Sequence, residues 1–496
     1  MESIFGRIAY FAARQPRHTA IADGRVAIGY LQLQQEVERI SSTLHLKPMG
    51  LLLSNGCAWA LLDLAAQYRG TVCVPLPAFF SDIQLRHLIA DAGLELIVTD
   101  QPARVLTLTA TALKSEIVVA GRTLACIVTT AMQGHDLPPA TAKITYTSGT
   151  TAQPKGVCLT GGAMEQVCVS LASAVAANDA DRTLSLLPLS TLLANIAGLY
   201  APLYSGGTAC VPDLAECGLQ GSTGVQAQQL LAALQRHQPS VIVLVPHLLK
   251  VLVEAATRGA RIPASLRYIA VGGAPVAPLL LRRARALGLP VYEGYGLSEA
   301  ASVVSLNVPE CDCIGSVGRP LPHARVRVAA DGEILVGGNL FSGYLGQPFS
   351  TSDEWATGDL GFIDGSGRLY LTGRKKTAFA TAHGRKLAPE WIESELTGTS
   401  SIAQAALFGE GRNWNVAVVV PTSAASQARL TADIAAVNRT LPDYARVKDW
   451  IVADEPFSLR NGLASGVGAI NRQAIATRYA TLIEGLYEGQ DRHAIL

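Results

Sequence analysis

The feature that most restricts the fold is an alternation of short apolar runs with helical stretches, which begins after Met49. The apolar run at residues 51–54 precedes a helical pattern at 58–68, and the run at 71–75 precedes another at 82–92. This β-α-β order is typical of a parallel sheet with helices on its faces. The sequence therefore predicts an α/β fold.

From about Gly315 the sequence pattern changes to short runs of alternating apolar and polar residues, separated by Gly and Pro turns. This pattern predicts an antiparallel or barrel-like section. A chain of 496 residues exceeds the size of a usual single core. We predict a large N-terminal domain at residues 1–373, made of parallel-sheet α/β subdomains and the barrel-like section. A small, mobile α+β C-terminal domain is predicted at 374–496, and one helix is predicted over 192–203.

Composition narrows the class of protein. Hydrophobic residues make up 49% of the chain and charged residues 16%, which suits a well-buried α/β enzyme. The formal net charge of +1 argues against a nucleic-acid-binding protein, because such proteins usually carry a strongly basic surface. The apolar runs are too short to span a bilayer, and the N-terminus has no signal-peptide pattern. Nine scattered cysteines, an odd number, predict reduced thiols and a cytoplasmic location.

The stretch from Ile144 to Gly156 joins a short β-prone run to a turn of hydroxyls, glycines and one lysine. Residues 147–156 are called the hydroxyl-rich loop below. Small residues let the backbone approach a ligand, and hydroxyls with the intervening N–H groups form a concavity for phosphate oxygens. Lys155 adds a mobile positive charge. The spacing differs from the Walker A pattern, so a P-loop NTPase is disfavoured, although similar loops simply join strands in many proteins.

Two later strings carry further binding chemistry. In the first, at residues 292–299, Tyr295 offers a flat face for a purine and Glu299 offers oxygens for Mg²⁺. The second string covers residues 355–361 and 371–376. In it, Asp359 can accept hydrogen bonds from ribose hydroxyls, and Arg374 can strengthen the binding of the same group. Each string taken alone also fits an ordinary strand end and its turn.

The string at residues 147–156 resembles the phosphate-binding loop of the adenylate-forming superfamily. That superfamily includes acyl-CoA synthetases, non-ribosomal adenylation domains and luciferases. Its pattern is Thr-Ser-Gly-Thr/Ser-Thr-Gly-x-Pro-Lys-Gly, and the one departure is Ala152 in place of a glycine. The segments at 272–275, 292–299 and 355–361 follow in the family's order, so the resemblance extends over nearly the whole chain.

The resemblance implies a role for each motif residue. Glu299 would hold Mg²⁺, and Lys155 would contact phosphate oxygens. Lys376 would be the hinge about which the C-terminal domain rotates between two half-reactions. The residues implied for ATP and AMP binding are Thr147, Ser148, Gly149, Thr150, Thr151, Gly273, Ala274, Tyr295, Gly296, Ser298, Asp359 and Arg374.

One catalytic residue of the family is missing. The family's C-terminal lysine lies in a string like Thr-x-x-Gly-Lys-Ile-x-Arg, and Ala469 occupies its place here. Three explanations remain open: an engineered replacement, a natural variant weak in the first half-reaction, or a neighbouring lysine that fills the role. The intact surroundings favour the first explanation. The candidate substitutes are Lys375, Lys376 and Lys386.

The acid is harder to infer than the reaction. No Asp or Lys stands at the positions where amino-acid adenylation domains anchor their substrate, which argues against that class. The strings at 384–391 and 292–296 are most similar to fatty acyl-CoA synthetases, and an apolar lining suits an alkyl or aryl acid. The residues expected to line the acid pocket are Thr191, Asn195, His247 and Gly272.

The resemblance therefore implies ATP-dependent activation of a carboxylic acid to acyl-AMP with release of pyrophosphate. Transfer of the acyl group to CoA, or to the phosphopantetheinyl arm of a carrier protein, would follow. ATP and Mg²⁺ are the expected cofactors. Two alternatives remain: a nucleotide-binding member with weak or lost adenylation, and a member that activates another oxyacid such as nitrite.

Overall fold

The computed structural model describes residues 3–109, 113–129, 134–147, 154–220, 224–348, 352–422, 425–458, 460–464 and 470–488. Within these residues the chain forms 28 β-strands and 15 α-helices. The strands as far as the middle of the chain are β1 (Thr19–Ala22), β2 (Ala27–Gly29), β3 (Met49–Leu52), β4 (Cys73–Pro75), β5 (Leu96–Thr99), β6 (Leu113–Val119), β7 (Arg122–Val128), β8 (Thr141–Thr147), β9 (Lys155–Thr160), β10 (Arg182–Ser185), β11 (Thr208–Cys210), β12 (Leu219–Gln220), β13 (Gly224–Val225) and β14 (Val241–Leu244).

The remaining strands are β15 (Tyr268–Val271), β16 (Val291–Leu297), β17 (Ser302–Leu306), β18 (Arg319–Pro320), β19 (Ala324–Val328), β20 (Glu333–Gly338), β21 (Gly343–Tyr344), β22 (Glu354–Ile363), β23 (Leu369–Arg374), β24 (Phe379–Ala380), β25 (Lys386–Leu387), β26 (Ile402–Phe408), β27 (Asn415–Pro421) and β28 (Val447–Val452). The helices are α1 (Ile4–Arg14), α2 (Tyr30–Ser41), α3 (Cys57–Arg69), α4 (Asp82–Asp91), α5 (Pro102–Thr109), α6 (Gly161–Ala174), α7 (Leu192–Asn195), α8 (Ala201–Ser205), α9 (Ala227–His237), α10 (Pro246–Thr257), α11 (Pro278–Ala286), α12 (Pro389–Thr397), α13 (Gln427–Thr440), α14 (Arg472–Arg478) and α15 (Ala480–Tyr487).

Two large sheets form most of the N-terminal part. One has the strand order β21-β9-β8-β4-β3-β5-β7-β6, and the other has the order β18-β17-β16-β15-β14-β10-β11-β1-β2. In both sheets the central strands pair in parallel, whereas the edge strands pair antiparallel. The predicted parallel α/β architecture is therefore confirmed, and antiparallel strands extend it at the edges.

The later part of the chain is built from smaller sheets. The section that the turn pattern predicted to be antiparallel or barrel-like is a four-stranded antiparallel sheet with the order β19-β20-β22-β23. Near the C-terminus, β26, β27 and β28 form a three-stranded sheet. Helices α12 and α13 share one apolar cluster with this sheet, and α14 and α15 contribute to another. These elements are the expected α+β C-terminal domain.

The helix predicted over 192–203 is not a single α-helix. It begins as α7, widens into a π-helical segment at Ile196–Tyr200, and resumes as α8. A π-helical turn inserts an extra residue and re-aims the side chains that follow it. Here Asn195 and Tyr200 both point to a buried ion pair that is described with the candidate site.

A buried lysine joins the C-terminal domain to the N-terminal part. The Lys250 side chain on α10 is 8% exposed, and its Nζ donates to the carbonyls of Thr397 and Ile402 at 2.7 and 2.5 Å. Burial lowers the pKa of Lys250 to about 8. Next to it, a Cβ added to Gly398 would lie only 2.6 Å from the Cβ of Ala277. The two parts therefore touch closely through a small residue and one lysine.

Among the residues that the structure describes, none of the helices combines the length and the apolar character needed to cross a bilayer.

Candidate active site

The hydroxyl-rich loop connects two antiparallel strands of the first large sheet. Thr147, at the end of β8, pairs with Lys155 at the start of β9. The Nζ atom of Lys155 lies 5.0 Å from the centre of the Tyr344 ring, a cation–π distance. The hydroxyl of Tyr344 donates to Oε1 of Glu299 at 2.5 Å. The structure thus brings the predicted Lys155 and Glu299 to one tyrosine, with the lysine at its ring and the glutamate at its hydroxyl.

A second cluster joins three other predicted residues. Asp359 is 6% exposed; its Oδ2 accepts a hydrogen bond from the Tyr295 hydroxyl at 2.7 Å, and its Oδ1 lies 2.9 Å from Nε of Arg374. Burial raises the pKa of Asp359, and Arg374 and Tyr295 oppose that rise. The nearby carboxylates of Glu390 and Glu299 raise it further. The two clusters are therefore close enough to interact electrostatically.

Glycines of the predicted nucleotide motifs allow close backbone packing. A Cβ on Gly296 would lie 1.9 Å from the carbonyl oxygen of Ser302 on the paired strand, so no larger residue fits there. A Cβ on Gly272 would lie 2.7 Å from the carbonyl oxygen of Gly294. Gly273 has a φ of +81°, which favours glycine. Gly273, Ala274 and Gly296 are exposed, and Ser298 is partly exposed, so this backbone is accessible to a ligand.

Asn195 lies in a buried network of polar side chains. It is 1% exposed, its Nδ2 donates to Oδ2 of Asp63 at 2.9 Å, and its Oδ1 accepts from Nζ of Lys143. Lys143 and Asp63 form an ion pair at 2.7 Å, and Tyr200 donates to Asp63 at 2.7 Å. Both ends of the Asn195 amide are used by this buried network. These contacts give Asn195 a structural role, and its role in binding the acid stays a prediction.

Gly272 follows β15, and the two other predicted pocket residues, Thr191 and His247, lie at the N-terminal ends of helices. Thr191 precedes α7, and its hydroxyl donates to the carbonyl of Pro188 at 2.7 Å. His247 is exposed in the first turn of α10. Neither position is assigned to the acid by these contacts, so their roles remain predictions.

The predicted hinge follows directly after a residue that is fixed to the N-terminal part. Lys375 Nζ lies 2.7 Å from carboxylate oxygens of both Asp331 and Glu333, and its backbone N–H donates to Gly358. Lys376 is exposed at the next position. Because its ammonium group is held by two carboxylates, Lys375 is poorly placed to replace the missing catalytic lysine.

Several predicted residues cannot be located. Ser148, Gly149, Thr150, Thr151 and Ala469 lie outside the described residues. Their roles stay predictions from the sequence.

Sequence reasoning missed Tyr344 and Glu293. Tyr344 lies 45 residues after Glu299, outside the motifs that carry the resemblance, so no local pattern marks it. Glu293 lies inside the string at 292–299 but was given no role. It is 8% exposed, and burial raises the pKa of its carboxyl to about 8, although the Val276 N–H donates to it and opposes the rise.

Glu293 should make stability depend on pH. An ordinary glutamate releases its proton near pH 4.5, whereas Glu293 in the folded chain keeps its proton up to about pH 8. The folded state therefore binds one more proton than the unfolded state in this window, and stability falls as the pH rises through it. We expect Glu293→Gln to lose this dependence. Denaturant unfolding of both forms at pH 5, 6, 7 and 8 measures it, and parallel curves for the two proteins would contradict the assignment.

Family models place the chain in a known class. The model of the AMP-binding enzyme family matches residues 8–345, and the model of the AMP-binding enzyme C-terminal domain matches residues 377–491. The chain therefore belongs to the AMP-binding enzyme family. The predicted membership of the adenylate-forming superfamily is confirmed.

Relatives of this chain include several acyl-CoA ligases. It is 26% identical to a long-chain-fatty-acid–CoA ligase of Mycobacterium bovis, with 86% of each chain covered. It is 28% identical to a feruloyl-CoA synthase of an Amycolatopsis species, with 83% of this chain and 87% of the relative covered. It is 32% identical to the 2-succinylbenzoate–CoA ligase of Bacillus subtilis over 55% of this chain and 57% of the relative.

Solved structures share the fold over nearly the full length. An anthranilate–CoA ligase in complex with anthranoyl-AMP superposes with a TM-score of 0.81 at 16% identity, covering 96% of this chain and 97% of the other. The o-succinylbenzoate–CoA synthetase of Bacillus subtilis, in complex with its acyl-adenylate, has a TM-score of 0.74 at 24% identity, covering 95% and 97%. At these identities the likeness confirms the fold class.

Proposed function

We propose that the chain uses ATP to activate a carboxylic acid as acyl-AMP with release of pyrophosphate, and then transfers the acyl group to a thiol. The observation that carries this proposal is the convergence of two groups of side chains. Lys155 and Glu299 meet at Tyr344, and Tyr295 and Arg374 meet at Asp359. Membership of the AMP-binding enzyme family supports it.

Each group suits one part of ATP. The Asp359 carboxylate suits the ribose hydroxyls, because its two oxygens offer about four acceptor sites and Tyr295 and Arg374 use two of them. Lys155 suits the phosphates as a positive charge at the end of the hydroxyl-rich loop. Positive groups there offset the negative charge that accumulates when the carboxylate attacks the α-phosphorus.

Glu299 is the proposed metal ligand. Oε1 of Glu299 accepts the hydrogen bond from Tyr344, and among the described residues no donor contacts Oε2. Oε2 is therefore available to bind a hard cation. In the part of the chain that the structure describes, no cluster of three or more His, Cys, Asp or Glu could hold a metal ion. A single carboxylate that shares Mg²⁺ with substrate phosphates fits this arrangement. When bound, Mg²⁺ would neutralise phosphate charge.

We infer that the acid is a fatty acid or an aryl acid and that the thiol is that of CoA. Support comes from the names of the relatives, which are ligases of long-chain fatty acids, ferulate and 2-succinylbenzoate. Rotation of the C-terminal domain about Lys376 would separate the two half-reactions. A carrier-protein thiol and a cytoplasmic location remain predictions from the sequence.

A second candidate function is nucleotide binding with weak or lost adenylation. Ala469, at the position of the family's lysine, favours it, since a methyl group brings no charge to the carboxylate and the α-phosphate. Activation of nitrite or another oxyacid is a further alternative to carboxylate activation.

ATP–pyrophosphate exchange over a panel of acids tests the proposal. The panel contains medium- and long-chain fatty acids, aryl acids and nitrite, with amino acids as the negative set. Exchange that depends on one class of carboxylic acid would support it. Tight ATP binding without acid-dependent exchange, in the chain and in its Ala469→Lys form, would favour the nucleotide-binding alternative.

Glu299→Gln should reduce Mg-ATP-dependent turnover by at least about tenfold, because Glu299 is the proposed ligand itself and even the loss of a residue that only supports a metal ligand costs about 10- to 100-fold. The amide keeps the shape of the side chain and a carbonyl oxygen for Tyr344, so the melting temperature should change little. Turnover as a function of Mg²⁺ concentration, with thermal unfolding alongside, measures both effects. Unchanged turnover at limiting Mg²⁺ would remove Glu299 from the metal site.

A further inference from the structure

Side chains of one helix contact the chain on both sides of residues 148–153, which lie outside the described part of the structure. On the paired strands β8 and β9, Tyr146 pairs with Gly156 and Thr147 pairs with Lys155. Pro154 directly precedes β9. The described residues next to this stretch are therefore Tyr146 and Thr147 before it and Pro154 after it.

Helix α4 contacts both flanks. Its His87 has Nε2 3.0 Å from the carbonyl oxygen of Pro154, and since a carbonyl only accepts, Nε2 carries the hydrogen. One turn later, Oδ2 of Asp91 accepts a hydrogen bond from the Tyr146 hydroxyl at 2.7 Å. The two helix residues are spaced i, i+4 and so share one face. The rings of His87 and Tyr146 also meet edge to face, 6.5 Å apart.

Helix α4 is itself fixed in place. Ser81 and Gln84 form a capping box at its N-terminus, which satisfies backbone N–H groups that would otherwise lack partners. Arg104 of α5 donates to the carbonyls of Ala78 and Phe80 at 2.8 and 2.7 Å and to the carboxylate of Asp82 at 3.0 Å. A helix anchored in this way can hold the residues that it contacts in fixed positions.

We propose that His87 and Asp91 of α4 act as a clamp on Pro154 and Tyr146, and that His87 is a positioning residue, which fixes the backbone immediately before Lys155. This inference rests on the proposed function, because it takes Lys155 as a contact of the β- and γ-phosphates of ATP. The sequence motif that contains Lys155 does not include His87, which lies 67 residues before Pro154.

The clamp should act on ATP and not on AMP. Without the bond from His87, the carbonyl of Pro154 is free to turn, and Lys155 is held less well toward the terminal phosphates. AMP lacks those phosphates, and the acyl-AMP used in the second half-reaction lacks them as well. A fault in the clamp therefore weakens ATP binding and acyl-AMP formation but leaves thioester formation from supplied acyl-AMP intact.

The test compares His87→Leu with His87→Gln, whose side-chain amide can still donate a hydrogen bond. We expect His87→Leu to weaken MgATP binding, measured by calorimetry, about tenfold, the effect of losing one hydrogen bond. AMP binding and the rate of thioester formation from supplied acyl-AMP should stay within about twofold of wild type. His87→Gln should recover most of the ATP affinity. Equal ATP affinity in wild type and His87→Leu, or no recovery with Gln, would overturn the proposal.

A matched control is available in His323, whose Nε2 lies 2.9 Å from the carbonyl oxygen of Val303. His323→Leu removes the same kind of bond from a different place and should not weaken ATP binding selectively. If both leucine variants lose ATP and AMP affinity in parallel, His87 acts through general stability and the clamp is refuted. A wild-type chain that binds ATP but activates no acid contradicts only the proposed function, whereas a chain that binds no ATP overturns both.

Discussion

Replacing Ala469 by lysine is expected to raise the rate of acyl-AMP formation by about two orders of magnitude. Negative charge builds on the carboxylate and α-phosphate oxygens during this step, and a preorganised cation offsets it. Removing one such stabilising group typically lowers kcat by a factor of about a hundred to a thousand. Acid-dependent ATP–pyrophosphate exchange measures the gain.

Ala469→Gln is the matched control, because it adds length and polarity without charge. The rate of thioester formation from supplied acyl-AMP should be the same in all three proteins, since the proposed rotation of the C-terminal domain would carry this position away from the site. An unchanged exchange rate with lysine would mean that another cation already fills the role or that the chain does not adenylate. Lys376 or Lys386 would then be the first residues to test, because Lys375 is held by Asp331 and Glu333.

Lys143→Met should lower the free energy of unfolding by about 3–5 kcal/mol. Lys143 and Asp63 are 2% and 0% exposed and form their ion pair at 2.7 Å. Removing the lysine leaves the Asp63 carboxylate buried without an opposite charge, although Asn195 and Tyr200 still donate hydrogen bonds to it. A buried charge without an opposite charge is strongly destabilising. Denaturant unfolding measures the loss.

The double variant Lys143→Met with Asp63→Leu separates charge from packing. It removes both charges and should recover much of the lost stability, since buried ion pairs can often be replaced by apolar residues of similar volume. A single variant that loses less than about 1 kcal/mol would contradict an uncompensated charge. A double variant as unstable as the single one would mean that the Asn195 and Tyr200 contacts are what the fold requires.

Local sequence patterns predicted those parts of the fold that depend on neighbouring residues. The 3.6-residue spacing of Ile4, Ile8, Phe11 and Ala12 marks one face of α1, and all four side chains are buried there. The helices expected at 58–68 and 82–92 form as α3 and α4, with ends shifted by one residue. Periodicity succeeds in these segments because each apolar face packs against the core.

The site was predictable only where a motif is continuous in the chain. Asp359 and Tyr295 each lie in a recognisable sequence motif, but they are 64 residues apart. The hydrogen bond between them could therefore not be predicted from either motif. The buried network around Asn195 was not predicted, because its partners Asp63 and Lys143 come from α3 and β8, far away in sequence. A buried lysine must find an acceptor, yet nothing in the strand pattern tells which residue supplies it.

The contact of Lys250 with the C-terminal domain has a practical consequence. Its amine is almost completely covered in this arrangement of the two domains, because it is bound to the carbonyls of Thr397 and Ile402. Any turn of the C-terminal domain away from α10 must break both bonds and uncover the amine to water. If the domains separate, an amine-reactive label would reach Lys250 only in the separated state. The labelling rate of Lys250 would then measure how often the domains separate.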